Sequence, residues 1–165
     1  AFGKGRAAGQ ELAGLLTRCG IETGGVDNIE AALWGKVLYN VGLNPLSALL
    51  NVPYGDLGSE EHARGLLTRL IQEAFEVASR EVDLGFGTAG QYLDHFFRKL
   101  LPPTESHISS MLQDLEKGRE TEIESITGQV VSRAERFGLP VPANRVVYEL
   151  VKAREAKRTP LISDS

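Results

Sequence analysis

Lys36, Asn40 and Asn44 follow one another at intervals of four residues, so on a helix the three side chains share one face. They lie in NIEAALWGKVLYNVGLNPLSALL, residues 28–50, where Leu33, Val37, Leu38, Val41 and Leu43 recur at helical spacing. A solvated helix face would carry Glu, Lys and Gln. This one sets an ammonium and two carboxamides among Trp34, Tyr39 and leucines. Asn competes with the backbone for hydrogen bonds and is a poor helix former, so two of them in mid-helix need a reason. Two readings stand side by side. In one the stripe is a cleft wall, with Lys36 as acid or charge donor and the amides as orienting groups. In the other it is a partly exposed face whose asparagines bond neighbouring turns.

Other residues with chemical potential have more ordinary explanations. GFGTAG, residues 85–90, matches the dinucleotide fingerprint letter for letter, but that motif needs a strand before it and a helix after it. The preceding EAFEVASREVDL has helical periodicity, so Gly85 and Gly87 end one helix and Gly90 lies in the start of the next. His62, His95 and His107 lack metal-ligand spacing, and no metal is expected. Cys19 is the only cysteine, which excludes an internal disulfide and fits a reducing compartment. It sits before Gly20 with no histidine nearby in sequence and does not read as a nucleophile. Most carboxylates, including Glu60, Glu61, Glu73, Glu76 and Glu81, are assigned to solvated faces with no special role. Ser109-Ser110 opens one helical segment, and Glu122 follows Thr121 in the first turn of another, where a cap and the helix dipole alone would justify these types.

The elements that must position these residues read as helices. At 165 residues the chain is long enough for one ordinary domain. Its 42% hydrophobic and 24% charged residues are those of a soluble globular protein, and a net charge of -4 gives no reason to expect nucleic acid or an anionic membrane as partner. No run approaches a membrane helix, and the expected location is the cytoplasm.

Residues 9–19 form a short helix stopped by Gly20, 21–23 a lone strand, and the two together read as the end of another domain. Asp27 or Asn28 caps the long helix, and Pro45 should kink or restart it near Asn44. NVPYGDLG, 51–58, is a turn. Further helices are expected over 59–84, 88–101, 105–116 and 121–137, the last stopped by Gly138, and Asn144 caps a final one. Residues 158–165 read as a frayed tail. The fold class is all-α, about six helices, with no strand pairs.

Four blocks in fixed order, WGKVLYNVGLNPLSA (34–48), SSMLQD (109–114), TEIESITG (121–128) and GLPVPAN (138–144), resemble the C-terminal half of the ketopantoate reductases. The resemblance implies a helical bundle of the type that ends 6-phosphogluconate dehydrogenase, over residues 28–157, preceded in 1–27 by the remnant of a Rossmann domain. It implies reduction of 2-dehydropantoate to pantoate, in the pathway to coenzyme A, with NADPH bound mainly by the N-terminal half and possible pairing as a homodimer. Carried over by position, Lys36 is the general acid, Asn40, Asn44 and Ser110 bind substrate, and Glu122 is a cofactor-side contact. In one place the sequence departs. Tyr54 stands where the family often has another substrate-binding Asn, which leaves open reduction of a different 2-keto acid. A third alternative is a non-catalytic helical dimerisation module.

Overall fold

Asn28 accepts the Ala31 backbone N–H on its side-chain oxygen, which starts the central helix α2, Ile29–Leu50. The computed structural model describes residues 3–26 and 28–157, so Asp27 and the tail 158–165 lie outside it. Before α2 comes α1, Gly3–Arg18, longer than expected, with exposed Leu12 and Leu15; residues 21–23 form no strand. Contrary to expectation α2 does not restart at Pro45 but runs on through it. It ends where Asn51 turns left-handed (φ 57°), a conformation Asn tolerates better than most residues, and its N–H returns to the Ser47 carbonyl.

All eight residues from Val41 to Ala48 are buried, because α2 is covered along this half by α4 (Glu61–Ala78), α6 (Ser110–Glu116) and α8 (Pro142–Ala156). The closest approach uses Gly42. A Cβ there would overlap Leu67 Cδ1 of α4, itself fully buried. The core is built from Leu38, Leu43, Leu67, Leu70, Ile71, Phe96 and Val130 with their neighbours. Among the described residues there are no strands, and no helix is long and apolar enough to cross a membrane. The all-α reading therefore holds, with more and shorter pieces than six.

The differences have local causes. Tyr54–Ser59 is a short helix, α3, where a turn was expected; Leu57 is buried, and Gly55 N–H donates to the Glu105 carbonyl at 2.9 Å. Glu60 then caps α4 by accepting the His62 and Ala63 N–H groups, bonds that hold its carboxyl below the usual range. That helix stops at Ala78, six residues short of the expectation, and Gly85 (φ 74°) makes a turn rather than a helix end. Thr88 caps α5, Ala89–His95, which passes into a π-helical turn, Phe96–Leu100. Pro102–Thr104 is a 3-10 turn, and α6 starts at Ser110, capped by Ser109, rather than near Glu105. A second π turn, Glu124–Gly128, leads into α7, Gln129–Phe137, which Gly138 closes in the left-handed conformation.

Helix α8 shows the largest gap between sequence and structure. Asn144 does not cap it. The helix begins at Pro142, and the carboxylate of Glu73, reaching over from α4, accepts the N–H groups of Ala143 (3.0 Å) and Asn144 (2.9 Å). Asn144 is buried, and its amide donates to the same carboxylate (2.8 Å) and to the Leu70 carbonyl (3.0 Å). Glu73 is thus a cross-helix cap rather than a solvated side chain.

Removing that carboxylate strands three donors, so Glu73→Ala should lower stability by about 2–3 kcal/mol in urea denaturation, whereas Glu76→Ala on the exposed side of α4 should change it by less than about 0.5 kcal/mol. Gly42→Val, which forces the α2–α4 contact apart, should cost about 1–3 kcal/mol in the same measurement.

Candidate functional site

The helical stripe Lys36, Asn40, Asn44 continues at the next i+3 step to Ser47, and the four differ in burial along α2. Lys36 is exposed, Asn40 half-buried, Asn44 and Ser47 buried. Burial of a carboxamide demands a partner. Tyr54, at the start of α3, supplies one: its hydroxyl donates to Asn44 Oδ1 at 2.7 Å. Burial, with a smaller contribution from Tyr39, pushes the Tyr54 phenol up to about 12, so it remains a neutral O–H donor through the ordinary pH range. Among the described residues the Asn44 amide nitrogen makes no hydrogen bond. Its orientation is therefore set from one side, with its N–H groups left for something else.

Ser47 organises the neighbouring loop. Its hydroxyl donates to the Val52 carbonyl at 2.7 Å and accepts the Ser109 N–H at 3.3 Å. Ser109, fully buried, caps α6 by accepting the Leu112 N–H at 3.1 Å. Tyr54 N–H closes the connection by donating to the His107 carbonyl at 3.0 Å. Ser110, the first residue of α6, is exposed next to this joint. The structure thus ties the start of α6 to the Asn44 end of the stripe, through Ser109 and Ser47. No hydrogen bond among the described residues joins Glu122 to this network. Glu122 is exposed, and its side chain makes no hydrogen bond or ion pair among the described residues; Thr121 beside it is held to Glu155 of α8 by its N–H and hydroxyl, both at 2.7 Å.

Such an arrangement presents an ammonium, two carboxamides and a hydroxyl along one edge of α2 and the tip of α6. It suits a small ligand with a carboxylate and a second oxygen, since Asn donates to one and accepts from the other. Ser47 and Ser109 were not foreseen as contributors, and Tyr54, singled out from the sequence as a departure at a substrate-binding position, was not foreseen as the partner of Asn44. The signals were there: Ser47 is three residues beyond Asn44 on the same face, and the serine pair 109–110 offers one member for capping and one for a ligand. Glu81, assigned to solvent, instead accepts from Trp34 Nε1 (3.2 Å) and Arg133 Nε (3.1 Å). No group of three or more potential metal ligands occurs among the described residues.

A family model described as "Ketopantoate reductase PanE/ApbA C terminal" matches residues 28–155. The 2-dehydropantoate 2-reductase of Aquifex aeolicus is 37% identical over 147 residues, 88% of this chain and 47% of that protein. That of Archaeoglobus fulgidus is 32% identical over 154 residues, 92% of this chain and 50% of that protein. Among solved structures, a PanE/ApbA family ketopantoate reductase from Ralstonia eutropha superposes with a TM-score of 0.76 at 32% identity, covering 90% of this chain and 49% of the other. D-mandelate dehydrogenase, in its ternary structure with NADH and anilino(oxo)acetate, gives a TM-score of 0.82 at 29% identity over 93% of this chain and 50% of the other. The chain spans about half the length of these relatives. With the four sequence blocks, the all-α fold and a family match over 28–155, the chain belongs to the ketopantoate reductase C-terminal family.

Proposed function

We propose that this chain is the substrate-binding half of a reductase that turns a 2-keto acid into a 2-hydroxy acid, with 2-dehydropantoate as the substrate and NADPH as the cofactor. Residues 1–27 belong to the end of the companion N-terminal half, and 28–157 form the helical unit that closes over the substrate. The observation that carries this reading is the fixed donor edge of α2: Asn44 held by Tyr54, Asn40 and Lys36 on the same face, and Ser110 at the joint with α6.

The described residues contain no strand, glycine turn and helix in succession, and GFGTAG follows a turn, so the cradle for the cofactor's phosphates is not built here. A nicotinamide cofactor held mainly by the companion half supplies the hydride. What this chain contributes is positioning and a proton. The amide N–H groups of Asn44 and the Ser110 hydroxyl hold the carboxylate. Asn40, half-buried between Lys36 and Asn44, orients the second oxygen. Reduction of a ketone leaves negative charge on that oxygen, and the Lys36 ammonium both stabilises the charge and donates the proton. Glu122 is assigned to the cofactor side.

A second reading keeps this chemistry with another 2-keto acid. It rests on Tyr54, whose hydroxyl occupies Asn44 Oδ1, and on the 29% likeness to D-mandelate dehydrogenase. Pairing as a homodimer is part of the proposal, with exposed Val146 and Leu150, one turn apart on α8, as candidate contacts.

In the full-length parent, Lys36→Ala should lower kcat for 2-dehydropantoate reduction by roughly a hundredfold or more, followed as NADPH oxidation. Unchanged turnover would reduce the chain to a helical dimerisation module, and an inactive parent that reduces other 2-keto acids would favour the second reading. The Tyr54 phenol binds its proton more tightly folded than unfolded, so its contribution to stability is complete below about pH 10 and declines as the pH rises towards about 12. Tyr54→Phe should flatten that part of the alkaline unfolding curve and, by leaving Asn44 Oδ1 without its donor, cost about 1–3 kcal/mol at neutral pH.

A further inference from the structure

A cleft of about 630 Å³ opens between the first turns of α2, the residues just after α4 and the helix α7. Its volume is that of a small-molecule site, roughly 300–1,000 Å³. None of Lys36, Asn40, Asn44, Ser110 and Glu122 lines it. The walls are of two kinds. Leu33, Trp34, Val37 and Phe137 give an apolar surface, on which Leu33 is 58% and Phe137 36% exposed. Arg80, Arg133 and Arg136 bring three guanidinium groups against two carboxylates, Glu30 and Glu81.

One ion pair is internal to the wall. Glu81 Oε2 takes both the Trp34 indole N–H and Arg133 Nε, Arg133 also donates to Gln129 Oε1 at 2.5 Å, and its guanidinium lies 5.5 Å from the indole centroid. The indole and this guanidinium are therefore held in place before any ligand arrives. With Glu81 engaged, Arg80 and Arg136 face the cleft with Glu30 as the one remaining carboxylate of its lining. A preorganised aromatic wall beside an excess of fork-shaped cations selects a ligand with an apolar body and an anionic head.

We propose that this cleft binds an organic anion in which an aromatic or branched apolar group carries a carboxylate or phosphate. The apolar body lies on Trp34, Leu33, Val37 and Phe137, and Arg80 and Arg136 take the anion. The site is separate from the donor edge around Lys36 and does not rest on the reductase reading.

The chain has one tryptophan, and it lines this cleft, so energy transfer from Trp34 follows probe binding, and the variants below assign it to the cleft. The 165-residue chain is titrated with 1-anilinonaphthalene-8-sulfonate, an aryl anion, and in parallel with N-phenyl-1-naphthylamine, the same ring system without the sulfonate, following energy transfer from Trp34. Saturable transfer to the sulfonate is expected. The variant with Arg80→Gln and Arg136→Gln should weaken it roughly tenfold while binding the neutral probe as before. Both arginines are exposed, and an unchanged melting curve checks that the variant is folded; if it is not, Arg136→Gln alone serves. Absence of saturable transfer, or equal affinity of parent and folded variant for the sulfonate, overturns the proposal. Lys36→Ala should leave probe binding unchanged; a loss there would put the probe on the donor edge and overturn it equally, whatever the outcome of the turnover assay.

Discussion

A polar stripe that enters the core of a helical bundle has to be hydrogen-bonded there, and this requirement shapes the chain on both sides of α2. Asn44 and Ser47 are 6% and 0% exposed, and leaving either unpaired would cost on the order of 1–3 kcal/mol. Their partners come from segments that ordinary helix packing would not fix. Tyr54 reaches Asn44 because α2 ends at Asn51 and the chain turns straight into α3. Ser109 reaches Ser47 because the 105–109 segment is stitched to the start of α3 by the N–H groups of Tyr54 and Gly55. Satisfying two buried side chains thereby sets the position of a third element, the N-terminus of α6, relative to the first.

The same logic operates at the other end of the bundle with the signs reversed. There the backbone N–H groups of α8 need an acceptor, since Pro142 opens the helix and Val141 has no side chain that could cap it. Glu73 provides it from α4, and Asn144 uses its amide to fasten the same carboxylate. A charge-assisted contact of this kind is directional where apolar packing is not. It fixes the start of α8 against α4, while apolar contacts such as Leu67 on Gly42 set how closely the helices lie.

How much of this the sequence discloses follows from the range of each interaction. Periodicity is local, so the start of α2 at its Asn28 cap and the stop of α7 at Gly138 are legible, while the expected start of that helix at Thr121 is taken up by a π turn and α7 begins only at Gln129. So is the stripe, because i, i+4, i+8 spacing needs no tertiary information. Of the reading of GFGTAG, the missing strand before it and the place of Gly90 in the start of α5 hold, whereas Gly85 and Gly87 lie in a loop past the end of α4 and do not end that helix. What is illegible depends on partners distant in sequence. Glu73 looks like any carboxylate on a solvated helix until α8, about 70 residues later, arrives beside it. Asn144 looks like a cap because Asn usually is one, and only burial against Leu70 shows that it serves as a donor to α4. Pro45 argues for a break on local grounds, yet α2 is so thoroughly buried around it that packing on three helices outweighs the lost backbone bond.

The two halves of α2 are consequently unlike, and that difference bears on how a site can be built on one helix. From Val41 to Ala48 every residue is enclosed, so Asn44 cannot move without disturbing Tyr54, Ser47 and the start of α6. Nearer its start the helix is covered on one side alone: Leu38 is fully buried while Leu33 is 58% exposed and Lys36 stands in solvent. A side chain as long and free as Lys36 needs a rigid reference if it is to meet the same atom each time. The enclosed half supplies that reference, because a rigid helix transmits the position of Asn44 two turns back to the Lys36 backbone. The exposed half keeps the ammonium accessible to whatever closes over it. Preorganisation at one end and access at the other are opposing demands on packing, and a helix half inside the core meets both.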